Sequence, residues 1–454
     1  MFFKLDSIDR PALTIGNSSL SFRDLNCASD HLAQSSIAKL NPQIIVLNSR
    51  SSFNFVIKLL AIWKAGKIAC VISNHYSQSV TQDCLATLPG YALLDSEQNH
   101  ILSLREGITH LPKQAALILF TSGSSGHPKA VVLSRENIEA NMHAVQESLN
   151  FSDVVCQDLN LPLSYSFGLC GQLFPALVNN VNTYLHEDIG GVLRSIKLPR
   201  TKLMLSGVPE QLSFLAQLYR RFPSACSRVS HVVTAGAPLS VKQRGELLQT
   251  FSKATIFTNY GMTECSPRVL CLSSRDPLFL EGGSGYPVPG IKTQVSQEGE
   301  LIISGKQVML GYLEDQRLIF PNSFASSSRN FYSGDKAKIK DGLHYILGRK
   351  DKQIKVSGVK INCQHINRVY ENHPNVEKAC SIPISCDTYG QRVVVFAVPK
   401  LKNLSTNLIV DELRPQLPHQ AAVKNLIFLS EWPMTPHGKT DQKILESKIK
   451  EEYL

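Results

Sequence analysis

The stretch LILFTSGSSGHPKA, Leu117 to Ala130, decides how the rest of the chain is read. Four apolar residues, Leu117, Ile118, Leu119 and Phe120, run into Thr121, Ser122, Gly123, Ser124, Ser125 and Gly126, the pattern of a buried strand emptying into a polar loop. The two glycines let backbone amides approach an anion, the hydroxyls donate further hydrogen bonds, and Lys129 behind Pro128 adds a positive charge. Such a loop is built to hold phosphate, and the chemistry it implies is handling of a nucleoside triphosphate. It lacks the Gly-Lys-Ser/Thr ending of the common P-loop. Instead Val131, Val132 and Leu133 continue as a short apolar strand and Ser134 offers a helix cap. A Ser/Gly-rich run taken alone is equally a flexible turn, so the motifs further along carry the decision.

The chain has 454 residues, more than one core usually holds, so two or three units are expected. Hydrophobic residues at 43% and charged ones at 19% are ordinary for a globular protein, and the formal charge of +10 biases it toward anionic ligands. The basic run Arg194, Lys197, Arg200 and Lys202 reads as a solvated surface, and nothing reads as a nucleic-acid module. Eleven cysteines without a Cys-x-x-Cys pair or a Cys/His cluster read as reduced thiols packed as small hydrophobes, which points to the cytoplasm. The start, MFFKLDSIDR, has no apolar core of signal-peptide length. The most apolar long stretch, Phe53 to Ile72, carries Lys58, Lys64 and Lys67, so it reads as a core helix running into a strand, with no membrane span.

From Ala12 to Leu40 the pattern predicts a strand pair and then a helix opening near Ser21 or Arg23. Ile44 to Leu47 reads as a buried strand, the Phe53 segment as a helix and Ile68 to Ile72 as a strand, the unit of a parallel α/β sheet that brings ligand loops to the carboxyl ends of strands. After the phosphate loop, Ile138, Met142, Val145 and Leu149 repeat at helical spacing as a packing stripe.

Further landmarks follow in order: Leu161-Pro162-Leu163-Ser164-Tyr165-Ser166-Phe167-Gly168; Val208-Pro209; Thr234-Ala235-Gly236-Ala237-Pro238; Asn259-Tyr260-Gly261-Met262-Thr263-Glu264; Tyr332-Ser333-Gly334-Asp335; Gly348-Arg349-Lys350-Asp351; Ser357-Gly358-Val359-Lys360; and Pro436-His437-Gly438-Lys439. A hydroxyl and a carboxylate together, as in Thr263-Glu264, suit a magnesium–phosphate site, because hard cations take oxygen ligands. Each landmark has a plain structural reading too: a loop, a turn, an exposed helix start, a surface charge.

Taken in order, these motifs resemble the adenylate-forming superfamily, which contains AMP-dependent acyl-CoA synthetases, peptide-synthetase adenylation domains and beetle luciferases. The resemblance runs from Ala12 to Lys439. It implies an α/β fold with a large N-terminal domain of sheets and flanking helices over residues 1–348, a hinge at 349–352 on Asp351, and a small mobile C-terminal α+β domain over 353–454. It also implies ATP and Mg²⁺ as cofactors. The loop from Thr121 to Gly126 with Lys129 would hold phosphates. Gly236, Ala237, Pro238, Asn259, Tyr260 and Gly261 would surround the adenosine, with Tyr260 stacked on adenine. Asp335 would take the ribose hydroxyls, and Arg349 would add a second ribose or phosphate contact. Thr263 would touch the α-phosphate, Glu264 would hold Mg²⁺, and Lys439 would act as the catalytic lysine. Tyr165, Ser166, Ala235 and Met262 would line the acid pocket.

Gly358 would line a thiol tunnel, so the acceptor is expected to be CoA or a phosphopantetheine on an acyl carrier protein. Peptide-synthetase domains carry an Asp that pairs with the substrate ammonium where this chain offers Tyr165 and Ser166, which disfavours α-amino acids. The expected reaction is adenylation of a carboxylic acid followed by thioester formation. Loading of a carrier protein, a luciferase-like oxygenase and a non-catalytic interaction protein remain as alternatives, the last expected to have lost Lys439, Glu264 or Asp335.

Overall fold

The first strands form for local reasons. Pro11–Ile15 and Ser18–Ser21 pair antiparallel across a turn at Gly16, whose φ of +58° suits a residue without a Cβ. Ser21 then caps the helix Phe22–Ser35, its hydroxyl accepting from the Asp24 amide. The computed structural model describes residues 5–98, 100–122, 128–320, 330–350, 354–356, 359–361, 363–386, 390–401, 404–417, 425–433 and 440–453.

The strand–helix–strand unit expected from the apolar runs is present as Ile44–Asn48, Phe53–Lys64 and Ile68–Ile72, with the two strands parallel and level from Ile44 opposite Ile68 to Asn48 opposite Ile72. Its helix is apolar nearly all round and is buried accordingly. Lys58 and Lys67 are 3% and 6% exposed, and their ammonium groups donate to main-chain carbonyls, Lys58 to Asp95 and Gln98, Lys67 to Leu40 and Pro42. Burial lowers the pKa of both.

These strands sit inside an eight-stranded sheet ordered Arg317–Ile319, Gly311–Glu314, Pro128–Ser134, Ala115–Ser122, Ile68–Ile72, Ile44–Asn48, Tyr91–Leu94, Ile101–Arg105. A nine-stranded sheet runs Tyr286–Pro287, Arg268–Ser273, Thr255–Gly261, Val229–Thr234, Leu203–Gly207, Cys156–Leu159, Asn182–Leu185, Pro11–Ile15, Ser18–Ser21, with a parallel middle and antiparallel ends. A smaller sheet joins Ile291–Val295, Glu300–Gly305, Phe331–Lys340 and Leu343–Arg349. The helix Arg135–Leu149 starts at Ser134 with a reciprocal cap to Asn137, and its stripe of Ile138, Met142, Val145 and Leu149 is buried. Trp63 and Phe174 meet edge to face, 5.0 Å between ring centres, in the core that the large sheets share.

The chain divides into two compact units, the larger spanning Met1–Thr121 and Pro128–Gly348 and the smaller built mainly of Arg349–Leu454. The smaller has its own core, with Ile366, Tyr370, Val395 and Ile409 fully buried between the helices Cys363–Glu371 and Thr406–Leu413 and the strands Val376–Cys386, Gly390–Pro399 and Asn425–Phe428. The fold is therefore mixed α/β, a large sheet domain and a smaller second one.

One expectation is corrected. Arg200, in the basic run read as solvated, is 6% exposed, and its Nη1 lies 2.6 Å from the buried Asp158 carboxylate, which also meets His186 Nε2 at 2.7 Å. The Arg200 guanidinium lies 4.7 Å from the Tyr184 ring centre. A buried ion pair and an aromatic face hold it inside, which a count of lysines and arginines along the chain does not reveal.

Candidate functional site

Parallel pairing sets three strand ends level. Gly207 lies opposite Thr234, and Thr234 opposite Thr258, so the segments that follow emerge side by side. Val208 leads into the helix Pro209–Tyr219; Ala235 to Pro238 turns, with Gly236 at φ +92°; Asn259, Tyr260 and Gly261 continue beyond the third strand end. Here polar atoms are buried without hydrogen-bond partners among the described residues: Ser206 Oγ, Thr234 Oγ1 and Asn259 Oδ1. The Asn259 amide donates to Thr234 O at 3.1 Å, which leaves that oxygen available. Orphaned polar atoms gathered at the carboxyl ends of parallel strands mark a place for a ligand.

Gly261 then turns sharply. A Cβ there would come within 1.9 Å of the Pro267 carbonyl oxygen, which accepts from the Met262 amide. This tight approach aims the short 3₁₀ turn Thr263–Cys265 inward. Glu264 is 6% exposed; its Oε1 accepts from the Tyr312 hydroxyl at 3.0 Å, and its Oε2 is buried with no partner among the described residues. The Lys129 ammonium lies 5.2 Å from the centre of the same Tyr312 ring. Tyr312 thus joins a cation from the strand Pro128–Ser134 and a carboxylate from the turn Thr263–Cys265. A bare, buried carboxylate oxygen is what a magnesium ion needs from the protein. Among the described residues no group of three or more His, Cys, Asp or Glu could hold a metal.

Tyr260 and Asp335 meet directly: the Tyr260 hydroxyl donates to Asp335 Oδ2 at 2.5 Å, and both side chains are buried. Burial, with the Asp335 charge beside it, pushes the Tyr260 phenol well above its ordinary range, so it stays protonated and donates. The Asp335 amide is bonded to Ser333 Oγ and the Gly334 amide to Glu300 Oε1, which fixes the turn that carries the carboxylate. Arg349 ends the strand Leu343–Arg349 and is half-buried.

The Tyr165 segment closes another side. Ser166 Oγ lies 2.9 Å from Thr263 Oγ1, so two residues separated by 97 positions share a hydrogen bond. Burial raises the Tyr165 phenol. After one helical turn, Ser166–Gly168, the backbone runs as a π-helix through Leu169–Leu173, a wide turn that often marks functional positions. Ala235 is half-buried at the strand end, and Met262 is buried in the core beside Tyr260.

Of the other expected residues, Thr121 and Ser122 close the strand Ala115–Ser122. Gly123, Ser124, Ser125, Gly126, Asp351, Gly358 and Lys439 lie outside the described residues. Sequence reasoning missed Tyr312 and Arg268. Neither has a local signal, because each acts on residues brought to it by strand pairing.

A sequence model of the AMP-binding enzyme family matches residues 88–313, and one of the AMP-binding enzyme C-terminal domain matches residues 365–439. This chain belongs to that family, the adenylate-forming ligases. Among curated relatives, the D-alanine–D-alanyl carrier protein ligase of Staphylococcus epidermidis is 26% identical over 340 residues, covering 72% of this chain and 69% of that protein. Bacitracin synthase 3 of Bacillus licheniformis is 25% identical over 484 residues, covering 96% of this chain and 7% of that much longer protein. Among solved structures, a double mutant of o-succinylbenzoate CoA synthetase from Bacillus subtilis superposes with a TM-score of 0.79 at 20% identity, covering 97% of this chain and 96% of that one. An amide bond synthetase from Marinactinospora thermotolerans gives 0.81 at 19% identity, covering 97% and 98%. These two likenesses establish the fold.

Proposed function

We propose that this enzyme activates a carboxylic acid with ATP as an acyl-adenylate, releasing pyrophosphate, and then passes the acyl group to a pantetheine thiol, that of CoA in the first instance. The observation that carries the reading is the Lys129–Tyr312–Glu264 arrangement, an ammonium over the ring of one tyrosine and a carboxylate at its hydroxyl, with one carboxylate oxygen unpartnered among the described residues. A carboxylate attacking a phosphate brings two anions together, which calls for positive charge rather than a protein nucleophile. Glu264 would hold Mg²⁺, and the ion when bound neutralises phosphate charge. Lys129 stands ready for a phosphate oxygen. Thr263, positioned by Ser166, offers a hydroxyl to the α-phosphate. Tyr260 would stack on adenine, and the Asp335 carboxylate it holds would accept from the ribose hydroxyls.

Lys439 would bridge the incoming carboxylate and the α-phosphate, then withdraw as the small domain, residues 353–454, turns about a hinge at 349–352 on Asp351 and brings Gly358 to line the thiol's path. A lysine in the site would otherwise block the thiol. The segment Leu161–Gly168 contains no acidic residue, and Ser166 is already bonded to Thr263, which supports an acid without an α-ammonium group. The second reading, loading of a carrier protein, is favoured by the Staphylococcus epidermidis relative, which is named for that acceptor. Among the described residues no helix is long and apolar enough to cross a membrane. We place the reaction in the cytoplasm, in keeping with free thiols at Cys27, Cys70, Cys84 and Cys156.

The test is pyrophosphate release from ATP and Mg²⁺ across fatty, aryl and amino acids, with hydroxylamine to trap activated acyl groups, with and without CoA. Hydroxamate formation establishes adenylation, and turnover that requires CoA in the absence of hydroxylamine establishes the acceptor. No release with any acid from protein that binds ATP rejects the reading.

A further inference from the structure

Among the described residues, two arginines of the large unit are buried without a carboxylate partner, and they differ in one respect. Arg244, 2% exposed, is fully wired: Nε donates to Leu239 O, Nη1 to Phe279 O and Nη2 to Gly283 O at 2.7 Å. Arg268, also 2% exposed, is not. Its Nη2 makes one long contact, 3.4 Å to Gly171 O, and its Nη1 is buried with no partner among the described residues. The ionisable neighbour that bears on it is Cys271, whose thiol burial pushes up to about 11, so it is neutral at pH 7. Burial lowers the Arg268 guanidinium to about 10, still protonated at neutral pH. A buried cation with neither a counter-charge nor a full set of hydrogen bonds is expensive, and an anionic ligand would offset that cost.

The location of that cation is specific. Arg268 pairs across the antiparallel strands with Gly261, at the turn that carries Thr263 and Glu264. Its guanidinium lies 6.0 Å from the Phe167 ring centre, and Phe167 directly follows Ser166, whose hydroxyl meets Thr263. A Cβ placed on Gly171 would stand 3.4 Å from Phe167, 3.5 Å from Pro267 and 3.6 Å from Arg268 Nη2, so all four residues converge where the π-helix bends. The next π-helix residue, Gln172, has both side-chain polar atoms buried and unpartnered among the described residues. The guanidinium therefore lies against the Phe167–Gly171 segment, whose neighbour Ser166 meets Thr263, with hydrogen-bonding capacity to spare around it.

We propose that Arg268 is a specificity-determining residue that binds a second negative group on the acid substrate, so that the substrate class is dicarboxylic or otherwise dianionic acids, the reacting carboxylate lying toward Thr263 and the other toward Arg268. The inference rests on the adenylation reading and narrows its substrate. The same charge disfavours an ammonium on the substrate, independently of the missing acidic residue in the Leu161–Gly168 segment.

The experiment uses the full chain with aliphatic and aromatic dicarboxylic acids, each paired with its half-amide, in the hydroxamate assay. Preference for the diacid on the order of a hundredfold in kcat/KM, abolished in Arg268→Gln, is the expected result. Equal use of half-amides, or a best substrate with an uncharged tail, overturns it. A second measurement needs no substrate. If Arg268 serves a ligand rather than the fold, Arg268→Met should melt higher than the wild type by about 2 °C or more, since an unpaired buried charge has been removed. A lower melting temperature overturns the proposal by showing a structural role. Failure of every acid with a stabilised Arg268→Met variant would count against adenylation and leave the anion site standing.

Discussion

The Tyr312 hydroxyl donates to Glu264 Oε1 at 3.0 Å, and in doing so it engages one of the two carboxylate oxygens. The remaining oxygen, Oε2, is buried with no hydrogen-bond partner among the described residues. Tyr312→Phe removes the bond while keeping the ring under Lys129. Removing a group that orients a metal ligand typically costs tenfold to a hundredfold in metal affinity or activity. The expected outcome is roughly a tenfold rise in the Mg²⁺ concentration needed for half-maximal pyrophosphate release, with little change in thermal stability. An unchanged Mg²⁺ dependence would remove Tyr312 from the site.

Lys439→Ala should separate the two half-reactions. Losing one preorganised charge at the transition state costs about 3 kcal/mol, or a factor of 10² to 10³ in the adenylation rate. Thioester formation from supplied acyl-adenylate should survive, as single-turnover assays would reveal. An equal loss in both steps would contradict the role given to Lys439.

The Asp158–Arg200 pair is a stability device distant in function from the nucleotide. Asp158→Ala leaves a buried guanidinium uncompensated and should cost about 3–5 kcal/mol, whereas Asp158→Leu combined with Arg200→Met should recover most of the loss. Denaturant unfolding of the three proteins checks this. Similar destabilisation by the single and the double substitution would mean that packing rather than charge is responsible.

Two buried histidines predict an acid-side loss of stability. His231 stacks on Phe257 and its Nε2 lies 2.8 Å from Leu149 O; His344 Nε2 lies 2.7 Å from Thr293 Oγ1. Burial lowers both pKa values in the folded protein. The unfolded chain therefore binds protons first as pH falls. Their contribution is complete above the ordinary histidine value of about 6.5, declines as pH drops toward the folded values, and is flat below them. Melting temperature followed from pH 8 to pH 5 should fall on the acid side, and His231→Gln should reduce that slope.

The sequence was informative where structure is local. The apolar run Ile44 to Leu47, the Ser134 cap and the Gly-turned landmark at Tyr260 to Glu264 each carry their own signal, because strand burial, capping and turns depend on neighbours in the chain. Arg268, Tyr312 and Arg200 carry none. Arg268 matters because it faces Gly261 across a strand pair and reaches Phe167; Tyr312 because it pairs opposite Val131 and so lies beside Lys129. Arg200 reads as solvated until Asp158, on the strand Cys156–Leu159, is placed against it. In each case the chemistry depends on a partner tens to hundreds of residues away, set by sheet register.

The larger unit draws its site from three sheets: Lys129 and Tyr312 from the eight-stranded one, Tyr260 from the nine-stranded one with Glu264 on the turn beyond it, and Asp335 from the four-stranded one. A nucleotide spanning these groups would act as a clasp. The site comes into being only after all three sheets have docked, so binding competence arrives late in folding and its appearance reports completed assembly. Conversely, a ligand held at a hundred times its dissociation constant would add about 2.7 kcal/mol against opening. That resistance would extend to sheet edges remote from the phosphates, so protection from proteolysis would spread well beyond the residues that touch the nucleotide.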